Sequence, residues 1–241
     1  MSLSANEVDG KIYLIGGQTG GPSSIVGLNE VYDVANDSWT IKEPLPYPVD
    51  SYASAVVDDK IYVIGGFEGL HHGVPVGYTQ IYDPVTDSWS FGASLPEIVR
   101  SGAAGATSGM LAPKRIYVIG GMSDTRGVNS TQIYDPENDA WTFGAQMPTA
   151  RYGLAVVVND LLYALGGSPY LTAPSMTANE QYVPFGYSAP VSEVPQVTGS
   201  EPTANIGIQL KPINSFLIVF LIIAVIVVSV LAAVLYYRKK T

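Results

Sequence analysis

The residues of this 241-residue chain best suited to chemistry are His71-His72 and two arginines, Arg100 and Arg151. His71 and His72 are its only histidines and lie in a glycine-flanked stretch. Adjacent imidazoles can hold a metal, but no third ligand stands at a metal-site spacing, so they read as loop residues and no metal or other cofactor is expected. Arg100 and Arg151 follow the leucine of Leu95-Pro96 and the methionine of Met147-Pro148 by five and four residues, and Asp50 stands in the matching place after Leu45-Pro46. The two arginines read first as scaffold or rim-packing residues; if a carboxylated or sulfated ligand binds, a guanidinium there would grip it through two parallel hydrogen bonds. Asp124, Arg126, Tyr78 and Tyr170 join this candidate set by position.

Other chemistries are poorly supplied. The chain has no cysteine, which removes disulfides and thiolate metal sites. Gly20-Gly21-Pro22-Ser23-Ser24 lacks the Gly-Lys-Ser/Thr ending of a phosphate loop. No acid/base pair is marked, because the aspartates recur with a repeat, as turn residues do.

That repeat must position whatever acts. Lys11-Ile12-Tyr13-Leu14-Ile15-Gly16-Gly17 returns as Lys60-Ile61-Tyr62-Val63-Ile64-Gly65-Gly66, as Arg115-Ile116-Tyr117-Val118-Ile119-Gly120-Gly121, and as Leu161-Leu162-Tyr163-Ala164-Leu165-Gly166-Gly167. The second glycines are 49, 55 and 46 residues apart. Three units continue with Tyr32-Asp33, Tyr82-Asp83 and Tyr134-Asp135, each tyrosine followed seven residues later by Trp39, Trp89 or Trp141. Self-similarity near fifty residues means one supersecondary unit in an array. The Ile-Tyr-Val-Ile phrases are β-branched, aromatic and too short for helices, and the Pro/Asp/Asn/Thr segments between them are turns. Each unit therefore predicts four short strands. Glycine pairs in strands imply close approach by another group, and the tryptophans are the expected occupants.

The Gly-Gly…Tyr-Asp…Trp sets resemble the kelch repeat over residues 1–183. The resemblance implies an all-β fold, a kelch-type β-propeller with one four-stranded sheet per blade. On that reading the glycine pairs, Tyr32, Tyr82, Tyr134 and the tryptophans are scaffold. Four units are recognisable, near 1–44, 45–94, 95–146 and 147–187. The array looks partial: in the fourth unit Val183 replaces the aspartate and no tryptophan follows, while residues 2–8 align poorly with the strand at 52–57. Residues 185–187 are an edge-strand candidate beside Pro184. A longer parent chain, two copies completing one another, and a small self-closed ring are the three ways to reconcile this, the first being favoured. Within a propeller the connections between second and third strands open on one face. Here they are long and dissimilar (18–29, 67–78, 122–130, 168–179), whereas the opposite turns read as short. Recognition is expected on the first face. The resemblance also brings in copper enzymes of galactose-oxidase type, whose centre this chain lacks the residues to build.

Residues 216–235 carry no charge and only Ser229 is polar, enough apolar length for a bilayer core of about 30 Å. With Tyr236-Tyr237 and Arg238-Lys239-Lys240 behind it, 215–237 predicts one transmembrane helix and a cytoplasmic tail, 238–241. Prolines at 184, 190, 195, 202 and 212 make 188–214 a stalk. The residues up to 210 hold 21 acids and 8 bases, so nucleic acid is not an expected partner. The sequons at Asn36 and Asn129 suit an exported domain, although residues 1–10 show no signal-peptide core. The whole resembles stalked envelope proteins of prokaryotes, archaea included. The expected function is non-catalytic surface recognition of a protein or glycan, or a structural role, at the cell membrane. The alternative is an extracellular carbohydrate-active enzyme of epimerase, lyase or hydrolase type.

Overall fold

The computed structural model describes residues 3–19, 25–69 and 73–190. All belong to one compact unit, 1–191, and a second unit, 192–241, lies outside the described residues. The transmembrane segment 215–237, the tail and most of the stalk therefore lie outside them too. Among the described residues no helix is long and apolar enough to cross a membrane.

Among the described residues every element is a strand, and the order follows the sequence phrases. Blade 1 comprises β1 (Ser4–Val8), β2 (Lys11–Ile15), β3 (Asn29–Asp33) and β4 (Ser38–Ile41). Blade 2 comprises β5 (Ala53–Val57), β6 (Lys60–Ile64), β9 (Thr79–Asp83) and β10 (Ser88–Gly92), with a small hairpin of β7 (Phe67–Glu68) and β8 (Val74–Pro75) inserted. Blade 3 repeats the plan with β11 (Ala103–Ala106), β12 (Ile116–Ile119), β15 (Thr131–Asp135) and β16 (Ala140–Phe143), and carries the hairpin of β13 (Met122–Ser123) and β14 (Arg126–Gly127). Among the described residues blade 4 has three strands, β17 (Tyr152–Val158), β18 (Leu161–Ser168) and β19 (Asn179–Tyr182). All pairings are antiparallel. This is a four-bladed kelch-type propeller array. Residues 185–187 form a turn and not the anticipated edge strand: the Tyr187 N–H bonds the Pro184 carbonyl and Phe185 is 94% exposed.

Period-two alternation sends each strand's side chains to two neighbouring blades. Val8, Tyr13, Ile15 and Val31 of blade 1 meet Ile61, Val63 and Tyr82 of blade 2. Ala53, Ala55, Tyr62 and Ile64 on the other face of blade 2 meet Ile116, Val118 and Tyr134. Tyr117 and Ile119 meet Leu162 and Ala164 of blade 4. The inner strands pack in sequence, β1 on β5, β5 on β11, β11 on β17, and β17 makes no comparable contact with β1.

Polar bonds fix the blades' relative positions. Tyr82 Oη donates to Asp87 over 2.6 Å, and Tyr134 Oη to Asp139 over 2.7 Å. The same carboxylates accept the N–H of Glu43 and of Ala93, while Trp89 and Trp141 Nε1 donate to the carbonyls of those two residues. One residue leaving each blade is thus held at both its N–H and its C=O by an Asp–Trp pair of the next blade. The Tyr82 bond, first, and the Glu43 N–H hold the Asp87 carboxyl below its usual range. Gln80 and Gln132 each bond both main-chain groups of one connection residue, Tyr47 and Glu97.

Two expectations are corrected. The space beside the glycine pairs is filled by the blade-to-blade main chain and not by tryptophan: a Cβ at Gly65 (φ +66°) would lie 2.8 Å from the Val99 carbonyl oxygen. Nor are all the opposite turns short, because β11 and β12 are joined by a long loop. Burial alone would raise the Asp160 carboxyl. The Ser108, Leu111 and Ala112 N–H groups and the Ser108 hydroxyl that it accepts at the base of that loop hold it below the usual range instead.

Burial pushes the Tyr52 and Tyr117 phenols up to about 12. Folded phenols then keep protons that unfolded ones release near 10. Their contribution is complete below pH 10 and is lost as pH rises toward 12, at up to about 1.4 kcal/mol per pH unit for each phenol. We expect urea midpoints to be flat from pH 8 to 9.5 and to fall steeply above 10. The Tyr52→Phe variant should show a shallower alkaline slope; an unchanged slope would remove Tyr52 from this account.

Candidate functional site on the loop face

The connections between second and third strands leave the glycine pairs, whose positive φ values turn the chain off the sheet. The Asp50 and Phe67 main chains bond each other in both directions, as do those of Arg100 and Met122. The next rung of this kind is Tyr152 with Ser168. Asp50, Arg100 and Tyr152 are therefore equivalent positions at three successive junctions.

Arg100 gathers groups from two blades. Its guanidinium carbon lies 4.6 Å from the centroid of the Phe67 ring on the blade 2 hairpin. Its Nη2 donates over 2.8 Å to the Asp124 carbonyl, in the turn of the blade 3 hairpin. A cation over a ring is worth about 0.5–1 kcal/mol at an exposed site, enough to hold a long side chain in place. Asp50 is buried, which raises its carboxyl, while bonds from Ser51 and Gln18 and the Arg100 charge act in the opposite direction. Arg126 pairs through its main chain with Tyr170, and the Gly127 N–H bonds the Pro169 carbonyl, so the blade 3 and blade 4 loops join.

Tyr78 belongs to an aromatic group that the sequence did not signal. Its ring stacks on Tyr47 at 4.8 Å, and Tyr47 meets Phe91 edge-on at 5.5 Å. Tyr78 Oη donates to Glu68 over 2.9 Å, the main reason its phenol is raised. Tyr47 and Phe91 are exposed. The repeats signalled scaffold aromatics only, and these three sit outside the repeated phrase.

Arg151 is placed differently from Arg100. The Gly121 N–H bonds its carbonyl just as Gly17 bonds Val49 and Gly66 bonds Val99. Arg151 thus fills a slot that is valine at the other junctions, and it is 2% exposed. Its Nη2 donates to the Ala164 carbonyl over 3.0 Å, and Nη1 lies 3.2 Å from Glu180 Oε1 as an ion pair without hydrogen-bond geometry. Glu180 stands where Gln80 and Gln132 stand, and accepts from Thr149 Oγ1. Sequence reasoning grouped the two arginines because both follow a proline; the structure makes Arg100 a face residue and Arg151 a buried one.

His71 and His72 lie outside the described residues. Among the described residues no group of three His, Asp or Glu side chains could hold a metal ion. Asn36 is exposed and its Nδ2 donates to Asp33; Asn129 Nδ2 donates to the Met147 carbonyl.

A stacked arginine, exposed aromatics and joined loops thus share a base built of kelch-type repeats. Residues 2–167 match the family described as the KLHDC2/KLHL20/DRC7 Kelch-repeats domain, and the chain belongs to the kelch-repeat family. It is 29% identical over 180 residues to Kelch-like protein 25 of Xenopus tropicalis, covering 72% of this chain and 30% of that protein. It is 29% identical over 176 residues to human Kelch-like protein 15, covering 66% and 28%, and 28% identical over 141 residues to Beta-scruin of Limulus polyphemus, covering 57% and 15%. The chain thus spans less than a third of these relatives' lengths. The matched region is a kelch-repeat protein-interaction module, consistent with binding without catalysis.

Proposed function

We propose that this module recognises a protein or glycan partner through the loop face, displayed outside the cell on the 188–214 stalk and the single span 215–237, with residues 238–241 in the cytoplasm. The observation that carries the binding part is Arg100 stacked on Phe67 and tied to Asp124, a cation held in a fixed place where two blades' loops meet. Its chemistry suits a carboxylate or sulfate, and the Tyr47–Tyr78–Phe91 group supplies apolar contact nearby in the fold. The membrane part rests on the apolar run and basic tail alone, as does the likeness to prokaryotic envelope proteins; the relatives named above are animal proteins. Two copies completing one array also belong to this reading.

The test presents the full chain, in detergent, to panels of sulfated oligosaccharides and acidic peptides. Arg100→Ala is expected to weaken the best probe about tenfold or more, the loss of roughly 1.4 kcal/mol, while Lys60→Ala, at the β5–β6 turn on the opposite face, serves as the control. Equal binding by Arg100→Ala and the parent would refute the site. In intact cells, Asn36→Gln and Asn129→Gln should each remove a glycan if the repeats face outward.

A second reading, a carbohydrate-active enzyme, draws on one observation: Asp50 is a buried carboxyl with its pKa raised and Arg100 close enough to oppose that shift. A catalytic carboxyl at pH 7 needs such tuning. Reducing-end release from a polysaccharide panel, abolished by Asp50→Asn, would establish it.

A further inference from the structure

The connections into blades 2 and 3 each hold one residue by both of its main-chain groups. Gln80 bonds the N–H and C=O of Tyr47, and Gln132 those of Glu97. Both glutamines are fully buried. Tyr47 and Glu97 are equivalent, each two residues after Leu45 or Leu95. The repeat thus fixes the backbone of this position and leaves its side chain outward, with Tyr47 44% exposed and Glu97 half-buried.

The outer strand adds a second side chain at each place. Phe91 pairs with Gln80 and Phe143 with Gln132 in the ladders, so each ring shares a sheet face with the clamping amide. In blade 2 Phe91 accordingly meets Tyr47 edge-on, and Tyr47 stacks on Tyr78. In blade 3 the same register sets Phe143 beside Glu97. Phe91 and Phe143 are both exposed. Exposed rings grouped along one rim, among polar side chains, mark an interaction site.

Each group also holds a carboxylate. Glu68 accepts from the Tyr78 hydroxyl over 2.9 Å, and Glu97 is itself the clamped residue of blade 3. Among the described residues neither glutamate forms an ion pair. A ring beside an uncompensated carboxylate receives a cation: the ring face attracts it and the carboxylate pairs with it. The molecule makes half of this contact within itself, where Arg100 lies over Phe67, the chain neighbour of Glu68. Net charge agrees. The residues up to 210 hold 21 acids and 8 bases, which draws in a basic partner and repels an acidic one.

We propose that the rim of blades 2 and 3 binds an arginine-bearing segment of a protein partner. One arginine lies on the Tyr47–Phe91 rings beside Glu68, and a second on Phe143 beside Glu97. Arginine fits better than lysine, because a planar guanidinium stacks on a ring and pairs with a carboxylate through two parallel bonds. Nucleic acid and acidic glycans bring the wrong charge. The backbone clamp on Tyr47 and Glu97 means that little order is lost when the segment docks. The inference rests on the recognition reading of this module, but gives the Tyr47 group a ligand opposite in charge to the one at Arg100.

The full chain in detergent is titrated with a fluorescent peptide of alternating arginine and glycine. Glutamate–glycine and serine–glycine peptides of equal length are the comparisons, and only the arginine peptide is expected to bind. Tyr47→Ser and Phe143→Ser, which change no charge, should each weaken it about fivefold or more, as should Glu97→Gln. Glu137→Gln removes the same charge from the exposed β15–β16 turn and should leave affinity almost unchanged. Both rings are exposed and Glu97 is held by its main chain, so these variants should melt like the parent. Full affinity in either serine variant would overturn the proposal, as would equal binding of the three peptides or no binding of the arginine peptide. So would equal losses in Glu97→Gln and Glu137→Gln, the mark of diffuse attraction to an acidic surface. Arg100→Ala should weaken the anionic probe and not the arginine peptide, so each reading can fail alone.

Discussion

Gly66→Ala should be among the most damaging single-methyl changes available to this chain. Gly66 has φ +101°, and a Cβ there would lie 2.5 Å from the Asp50 carbonyl oxygen, 3.0 Å from Tyr52 Cβ and 3.2 Å from Tyr52 Cα. All three belong to main chain or to the stem of a side chain, so none can swing away. A non-glycine residue in such a conformation costs about 1–3 kcal/mol, and overpacking adds about 1–3 kcal/mol more. At roughly 2–4 °C per kcal/mol for a domain of this size, Tm should fall by on the order of 10 °C. Gly10→Ala separates the two effects. Gly10 has φ +69° but nothing within 4 Å of a Cβ, so it loses only the backbone part. Circular-dichroism melts of the two full-length variants decide the point: equal losses would mean that the carbonyl contact contributes nothing.

This position also shows how much of the fold the sequence carried. The Gly-Gly phrases were legible as places of close approach, because strand glycines otherwise have no compensating benefit. The approaching group was not legible, since it is a carbonyl whose own residue type is immaterial: Val49, Val99 and Arg151 all present one. The strands Thr79–Asp83 and Ser88–Gly92 follow from composition and turns, and they form where expected. The strand Ser4–Val8 aligned poorly because its sequence, Ser-Ala-Asn-Glu-Val, has little apolar content. It is held by the sheet ladder and by the Asn6–Ser54 bond, both made by partners distant in the chain. Contacts across blades are invisible in a local pattern, which is why Phe67 beneath Arg100 and the Tyr47–Tyr78–Phe91 group emerged only in three dimensions. The long loop after β11 was likewise hidden, its anchor Asp160 lying about one blade away in sequence.

Arg151 is the clearest case of a residue whose meaning depends on register, and it supports the second large prediction. Measured from the preceding Leu45, Leu95 or Met147, the connection into blade 4 is one residue shorter than the others, and the ladder absorbs the loss at an irregularity between Tyr152 and Leu154. Arg151 lies before that irregularity, the fourth residue after Met147 as Val49 and Val99 are after Leu45 and Leu95, so an arginine stands in a valine slot and faces Glu180 in a glutamine slot. Each change alone would strand a charge; together they make an ion pair with side-chain exposures of 2% and 17%. Removing one member of a buried pair typically destabilises by about 3–5 kcal/mol, because the other charge remains buried, whereas replacing both with well-fitted neutral groups is often neutral or favourable. Arg151→Val and Glu180→Gln should each lower Tm by roughly 6–20 °C at about 2–4 °C per kcal/mol. The double variant restores the composition of the first two junctions, and the amide introduced by Glu180→Gln is able to clamp Thr149 as Gln80 clamps Tyr47. It should melt near the parent, with a coupling of about 2 kcal/mol or more in the double-mutant cycle. Additive losses in the double variant would mean that the two residues act independently, and the pairing account of the junction between blades 3 and 4 would fail.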